Sequence, residues 1–330
     1  MKIGLTLGKF APLHRGHQRV IEQSLAEMDR TIVLIYDCPE LDVPPLPIRR
    51  RWIEDLYPGV EVLEAWDGPT ETGMEPAITA QHDAYLSRRM RGKGITHFYS
   101  SEPYGEHVSR ALGAIDRRVD EKRESVPISA TAIREDAYLH RQYLSLRVYR
   151  DLVTQVVFLG APSTGKTTIV QELAKRYDTV WMPEYGREYW ANHQVDRRLT
   201  REQLVEIAVG HREREDRLVA SANKYFFVDT DATTTLQFSC YYHDGAHPDL
   251  VELAHRCRDR YDLVFLCECD IPYDDTWDRS GAVFRTVMQR RIEADLLARQ
   301  RPFCRLAGTV EERVAKVASR LDAIRKYRER

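Results

Sequence analysis

The chain has 330 residues, enough for two ordinary domains that each bury a core of their own. Its 43% hydrophobic and 30% charged residues are typical of a soluble globular protein, and 49 Lys plus Arg face 51 Asp plus Glu, a formal net charge of -2. That balance gives no general electrostatic case for binding nucleic acid or an anionic membrane.

The opening residues, Met1-Lys2-Ile3-Gly4-Leu5-Thr6-Leu7-Gly8, are interrupted too soon for a signal peptide. No apolar run is long enough to span a bilayer, so the cytoplasm is the expected location. Short apolar runs predict strands at Lys2–Leu7, Thr31–Tyr36, Val60–Leu63 and Thr96–Ser100. Helical spacing lies between them at Gly16–Met28, Ile48–Leu56 and Glu75–Met90. Strand alternating with helix predicts a parallel sheet with helices on both faces. The polar, aromatic-rich stretch Glu135–Arg150 holds no Pro or Gly and is read as one helix that closes a first domain over residues 1–150.

Directly after the first strand comes Gly8-Lys9-Phe10-Ala11-Pro12-Leu13-His14-Arg15-Gly16-His17. A His-x-x-His pair invites a metal reading, but zinc needs further ligands at recognisable spacing and none stand nearby. A phosphate site fits better. A strand ends, a Pro-shaped loop turns, and Gly-His opens a helix whose N–H groups can hold phosphate while His14 and His17 donate across the loop.

The pattern restarts at Gln155-Val156-Val157-Phe158-Leu159-Gly160, the first strand of a second domain over residues 151–330. Strands are expected at Thr179–Met182, Tyr225–Val228, Leu263–Cys267 and Phe303–Leu306. Helices are expected at Lys166–Tyr177, Arg201–Ser221, Thr286–Gln300 and Val310–Tyr327. Gly160-Ala161-Pro162-Ser163-Thr164-Gly165-Lys166-Thr167 is G-x-x-x-x-G-K-T between an apolar strand and an amphipathic helix, the context a P-loop requires. Its backbone N–H groups, with Ser163, Thr164 and Thr168, would face ATP phosphates. Lys166 adds a cation, and the Thr167 hydroxyl can ligate Mg²⁺.

A P-loop enzyme also needs a carboxylate for its magnesium shell. Phe226-Phe227-Val228-Asp229-Thr230-Asp231 supplies one at a strand's carboxyl end, with Asp229 the better candidate. Asp231 is read equally as a helix cap or a site residue. Glu184, in Pro183-Glu184-Tyr185-Gly186-Arg187-Glu188, could accept the proton of an attacking hydroxyl, with Tyr185 and Arg187 beside it as substrate contacts. Its other reading is the first-turn acid of the following helix. Arg279, in the turn-like Asp274–Gly281, is the arginine expected to stabilise the transferring phosphoryl; Arg290 and Arg291 read as a solvated helix face. The six cysteines form no CxxC pair, and Cys267 and Cys269 fall in an apolar run read as buried strand rather than metal site.

The first loop resembles the G-x-F-x-P-x-H-x-G-H signature of the nucleotidyltransferase superfamily. Ile128-Ser129-Ala130-Thr131-Ala132-Ile133-Arg134 is similar to its second signature, I-S-x-T-x-I-R. The resemblance implies a Rossmann-like domain in which Gly8, Lys9, Phe10, Ser129, Thr131 and Arg134 grip ATP phosphates. An adenylyltransferase signature followed by a P-loop kinase resembles the bifunctional NadR-type family. Ser100–Pro103, Gly210-His211 and Ala246-His247-Pro248 add to the likeness. It implies ATP-dependent phosphorylation of nicotinamide riboside to the mononucleotide (NMN), then adenylylation of NMN to NAD with release of pyrophosphate. Arg49 would meet the NMN phosphate, and Trp66 with Asp67 the nicotinamide ring; a solvated basic face for the arginines and a buried Trp66 are the plainer readings. Some members carry an N-terminal helix-turn-helix repressor module, and this chain starts on its first strand, so no DNA-binding activity is expected. A homo-oligomer is left open. The rival readings are an adenylyltransferase-kinase for another nucleoside or vitamin, and a regulatory sensor of NAD or ATP. The intact His14/His17 and Lys166/Thr167 sets argue against an inert sensor.

Overall fold

Thr31-Ile32-Val33-Leu34-Ile35-Tyr36 has no polar alternation, the pattern of a strand covered on both faces, and all six residues are buried in the core of a sheet. The computed structural model describes every residue except 72, 74, 197, 274–281, 325 and 328–330. It divides into two units, Met1–Leu152 with Tyr327, and Val153–Lys326.

The first unit runs β1 Ile3–Gly8, α1 Arg15–Glu27, β2 Arg30–Tyr36, α2 Leu46–Leu56, β3 Glu61–Ala65, α3 Pro76–Arg89, β4 His97–Ser100, α4 Gly105–Leu112, β5 Ile115–Arg118, α5 Ala130–Glu135 and α6 Leu146–Leu152. Its strands pair in the order β3-β2-β1-β4-β5, every pair parallel. Leu5, Ile32, Leu34, Phe98 and Val108 belong to its core. The strand order reverses beside β1, so the crevice beyond that strand's carboxyl end is where an open sheet of this kind binds a ligand.

The second unit runs β6 Thr154–Leu159, α7 Lys166–Arg176, β7 Trp181–Met182, α8 Tyr185–His193, α9 Arg201–Leu218, β8 Tyr225–Asp229, α10 Ala232–His243, α11 Pro248–Arg256, β9 Leu263–Cys267, α12 Ala282–Ala298, β10 Cys304–Leu306 and α13 Val310–Ala323. The order is β10-β9-β6-β8-β7, again all parallel, with the reversal beside β6. Phe158 and Phe265 stack at 5.4 Å within a core that includes Val156, Ile169, Phe227 and Val317. Among the described residues no helix is long and apolar enough to cross a membrane.

Two expectations need correction. Glu135–Arg150 is not one helix: α5 ends at Glu135, Arg141–Tyr143 forms a short 3-10 turn, and α6 starts at Leu146. Asp136 is extended, with φ -147°, and its Oδ1 accepts from Leu139 N at 2.8 Å. Such local side-chain bonds compete with the helical ladder. The pattern also predicts no element at α4, β5 or α11. β5 is Ile-Asp-Arg-Arg, an edge strand whose charges hide it from an apolar search.

Candidate functional site

At the end of β1 the chain turns through Phe10, buried and left-handed at φ 47°, into α1. His14 caps that helix: its Nδ1 accepts from Gly16 N at 3.1 Å, while His17 Nδ1 accepts from His14 N at 3.4 Å. The two imidazoles stack with centroids 3.8 Å apart, and the Phe10 ring stands edge-on to His17 at 5.0 Å. Burial, and after it the Arg123 charge, lowers the His14 pKa to about 4. Burial and the neighbouring His14 hold His17 well below the usual histidine range, against a hydrogen bond to the Pro12 carbonyl. Both rings are therefore neutral near neutral pH. With its Nδ1 occupied as an acceptor, His14 carries its one proton on Nε2.

The two signatures meet in space. Arg134 donates to Ala11 O at 2.7 Å, across 123 residues, and to Thr131 Oγ1 at 2.9 Å. Ser129 caps α5 by accepting from Ala132 N. Gly8 ends β1, and the next residue, Lys9, pairs with Glu40 at 2.5 Å.

In the second unit, Gly160 at φ 142° lies against β9, where a Cβ would come within 2.7 Å of Cys267 O. Only glycine fits that approach. Ser163 (φ 65°) and Gly165 (φ 82°) complete the turn into α7. Lys166 Nζ is curled back onto the carbonyls of Gly160 and Ala161 at 2.9 and 3.0 Å. Thr167 Oγ1 donates to Asp229 Oδ2 at 2.5 Å. Asp229 is wholly buried at the end of β8. Burial raises its pKa to about 6 despite the Lys166 charge, and its Oδ1 has no partner among the described residues.

A cavity of about 490 Å³ opens beside this loop. The P-loop from Pro162 to Thr168 lines one part, with Gly160, and Glu184, Arg187, Thr230 and Asp231 line it too. Trp190, Phe238, Tyr242 and Phe284 contribute an aromatic part. Cavities of this size with a few convergent polar groups are characteristic of small-molecule sites. Glu184 precedes α8 but makes no side-chain cap bond, which leaves its carboxylate to Arg187 at 3.9 Å.

Other expected site residues have work elsewhere. Asp231 caps α10, accepting from Thr233 N at 2.9 Å, and its Oδ2 pairs with buried Arg301 at 2.9 Å. Arg49 is buried and donates to the carbonyls of Lys9, Tyr36 and Pro44, with Asp37 at 3.4 Å, so it ties the loops after β1 and β2 to α2. Trp66 is 56% exposed and donates to Glu64, while Asp67 accepts from Tyr85 at 2.9 Å. Tyr185 lies beneath Arg214 and against Gly210 rather than in the cavity wall. Arg279 lies outside the described residues. Sequence reasoning gave no role to Thr230, Thr234, Phe238 or Tyr242. The four-residue spacing of the last three along α10 was the available signal.

A family model described as an AAA domain matches residues 155–313. The trifunctional NAD biosynthesis/regulator protein NadR of Escherichia coli (strain K12) is 32% identical over 294 residues, 82% of this chain and 70% of that protein. A probable nicotinate-nucleotide adenylyltransferase of Thermotoga maritima is 28% identical over 42% of this chain and 82% of its own length. A crystal structure of NadR protein in complex with NAD and AMP-PNP is 22% identical, with a TM-score of 0.56 over 98% of this chain and 96% of that one. A NadR structure in complex with NR matches at the same TM-score over the same shares of both chains, with 21% identity.

Proposed function

The chain belongs to the NadR family, and on that premise we propose that it makes NAD from nicotinamide riboside in two ATP-dependent steps. It is an enzyme of NAD biosynthesis, a nucleotidyltransferase joined to a kinase. The observation that carries the reading is one chain with two different loops suited to phosphate. Each lies at the strand-order reversal of its own sheet: His14 and His17 after β1, and Thr167 with Asp229 beside β6.

In the first step the riboside binds with its 5′-hydroxyl toward the P-loop. Glu184 takes the proton as the hydroxyl oxygen attacks the γ-phosphorus of ATP, and ADP leaves. Lys166 exchanges its two loop carbonyls for phosphate oxygens, and Arg187 holds charge on the acceptor side. Mg²⁺ would be held by the Thr167 hydroxyl and Asp229, whose buried Oδ1 has no hydrogen-bond partner among the described residues. When bound it would draw charge from the β- and γ-phosphates. We assign Arg279 to stabilising charge on the transferring phosphoryl.

In the second step the NMN phosphate attacks the α-phosphorus of a second ATP, and pyrophosphate departs. That phosphate has a second pKa of roughly 6, so it arrives ionised and needs no general base. The residues align and neutralise. The His14 Nε2–H donates to phosphate oxygen without carrying charge; Lys9 and Arg134 supply the cations; Ser129 and Thr131 offer hydroxyls. Arg49 acts by holding the loop at Lys9, and Trp66 and Asp67 remain the candidates for the nicotinamide ring. ATP as donor in both steps suits a cytoplasmic enzyme.

Two variants assayed together test this division. Lys166→Ala is expected to abolish riboside phosphorylation and leave NMN adenylylation largely intact, while His17→Ala stops at NMN. Loss of both activities in either variant would contradict it.

A further inference from the structure

Two hydroxyls in the cavity wall are not used by the steps above. Thr230 and Thr234 are 6% and 4% exposed, and both line the cavity. The Oγ1 of each is buried without a hydrogen-bond partner among the described residues. Buried hydroxyls are nearly always paired, so two unpaired ones on one cavity wall point to polar groups of a ligand. Thr234 sits in α10, where a helical threonine commonly bonds back to the carbonyl four residues earlier, yet it makes no such bond. Thr230 holds φ 70°, a conformation that β-branched residues avoid.

Helix α10 orders these groups along the cavity. At its near end Thr230 N donates to Phe158 O on β6 at 3.0 Å, next to Asp229 and the P-loop threonine it binds. Thr234, Phe238 and Tyr242 follow at four-residue steps, each roughly 6 Å farther along the axis. From the phosphate end outward the wall therefore presents hydroxyls and then aromatic rings. A nucleoside with its 5′-hydroxyl at the P-loop has the matching order: ribose next, base last.

Resting on the kinase reading of this unit, we propose that Thr234, with Thr230 beside it, hydrogen-bonds the secondary hydroxyls of the acceptor's ribose. The pair thereby selects ribosides over deoxyribosides. A site built to bond a hydroxyl rejects the analogue that lacks it, because the protein's own buried group is left unpaired.

The test uses the full chain with Mg-ATP and compares kcat/KM for nicotinamide riboside with its 2′-deoxy and 3′-deoxy analogues. The unaltered enzyme is expected to prefer the riboside by about tenfold or more over at least one analogue. Thr234→Val, close in shape, should bring that ratio near one, and Thr234→Ser should restore it. Thr230→Gly, suited to the local backbone, should lower it as well. Retained thermal stabilisation by ATP shows that each variant is folded. A ratio that stays at its original value in Thr234→Val and Thr230→Gly overturns the proposal, as does an unaltered enzyme that does not discriminate. If the unaltered enzyme phosphorylates none of the three, the kinase reading itself fails, a separate and recognisable result.

Discussion

His14 is both the cap of α1 and a candidate phosphate donor, and the two roles together fix its protonation. Its pKa is about 4 in the folded chain against 6.5 for a free histidine. As pH falls the unfolded chain takes up that proton first, so the stability from a neutral His14 is complete above about pH 6.5 and is lost as pH falls through about 4. His14→Asn keeps a good cap and removes the titration. Urea unfolding is expected to show the unaltered protein losing more stability between about pH 7 and pH 5 than the variant, by on the order of 1 kcal/mol. Equal losses would mean that His14 is not held neutral. That the loop carrying His14 joins the first strand to a helix was legible in the sequence; the neutrality of His14 was not, because burial and Arg123 arrive only with the fold. Arg49 shows the same limit. Its guanidinium stood out in the sequence, but the three carbonyls it holds come from loops brought together by the sheet.

At the scale of the element, α10 decides how Asp229, at the end of β8, and Asp231, just beyond it, divide their work. Strand position favoured Asp229 in the sequence but left Asp231 evenly divided between helix cap and site residue. The partners separate them: Asp229 takes the P-loop threonine, and Asp231 caps α10 and pairs with Arg301, 70 residues away. Both members of that second pair are buried, at 0% and 2% side-chain exposure, so breaking it leaves an uncompensated charge. Arg301→Met is expected to destabilise the second unit by about 3–5 kcal/mol. Adding Asp231→Asn, which keeps the cap, should recover much of the loss. Urea unfolding of both variants measures this, and a double variant no more stable than the single one would contradict it. The cavity face of the same helix went unread because Thr234, Phe238 and Tyr242 are ordinary residues until a wall is built around them.

At the scale of the molecule, strand–helix alternation was strong enough in the sequence to give two parallel sheets. The edge strand β5 and the stretch after α5 were not legible: β5 is charged, and local Asx bonding breaks the helix expected after α5. The glycine and lysine positions of the P-loop were legible because phosphate chemistry restricts them so tightly. The aromatic end of the cavity has no such restriction. The central claim concerns the two sites taken together, that the product of one is the substrate of the other. It is tested most directly by a time course with the unaltered full chain, Mg-ATP and nicotinamide riboside, resolved by chromatography. NMN is expected to appear first and NAD to follow with stoichiometric pyrophosphate. A trace with neither NMN nor NAD, or with NMN that never becomes NAD, would contradict the account.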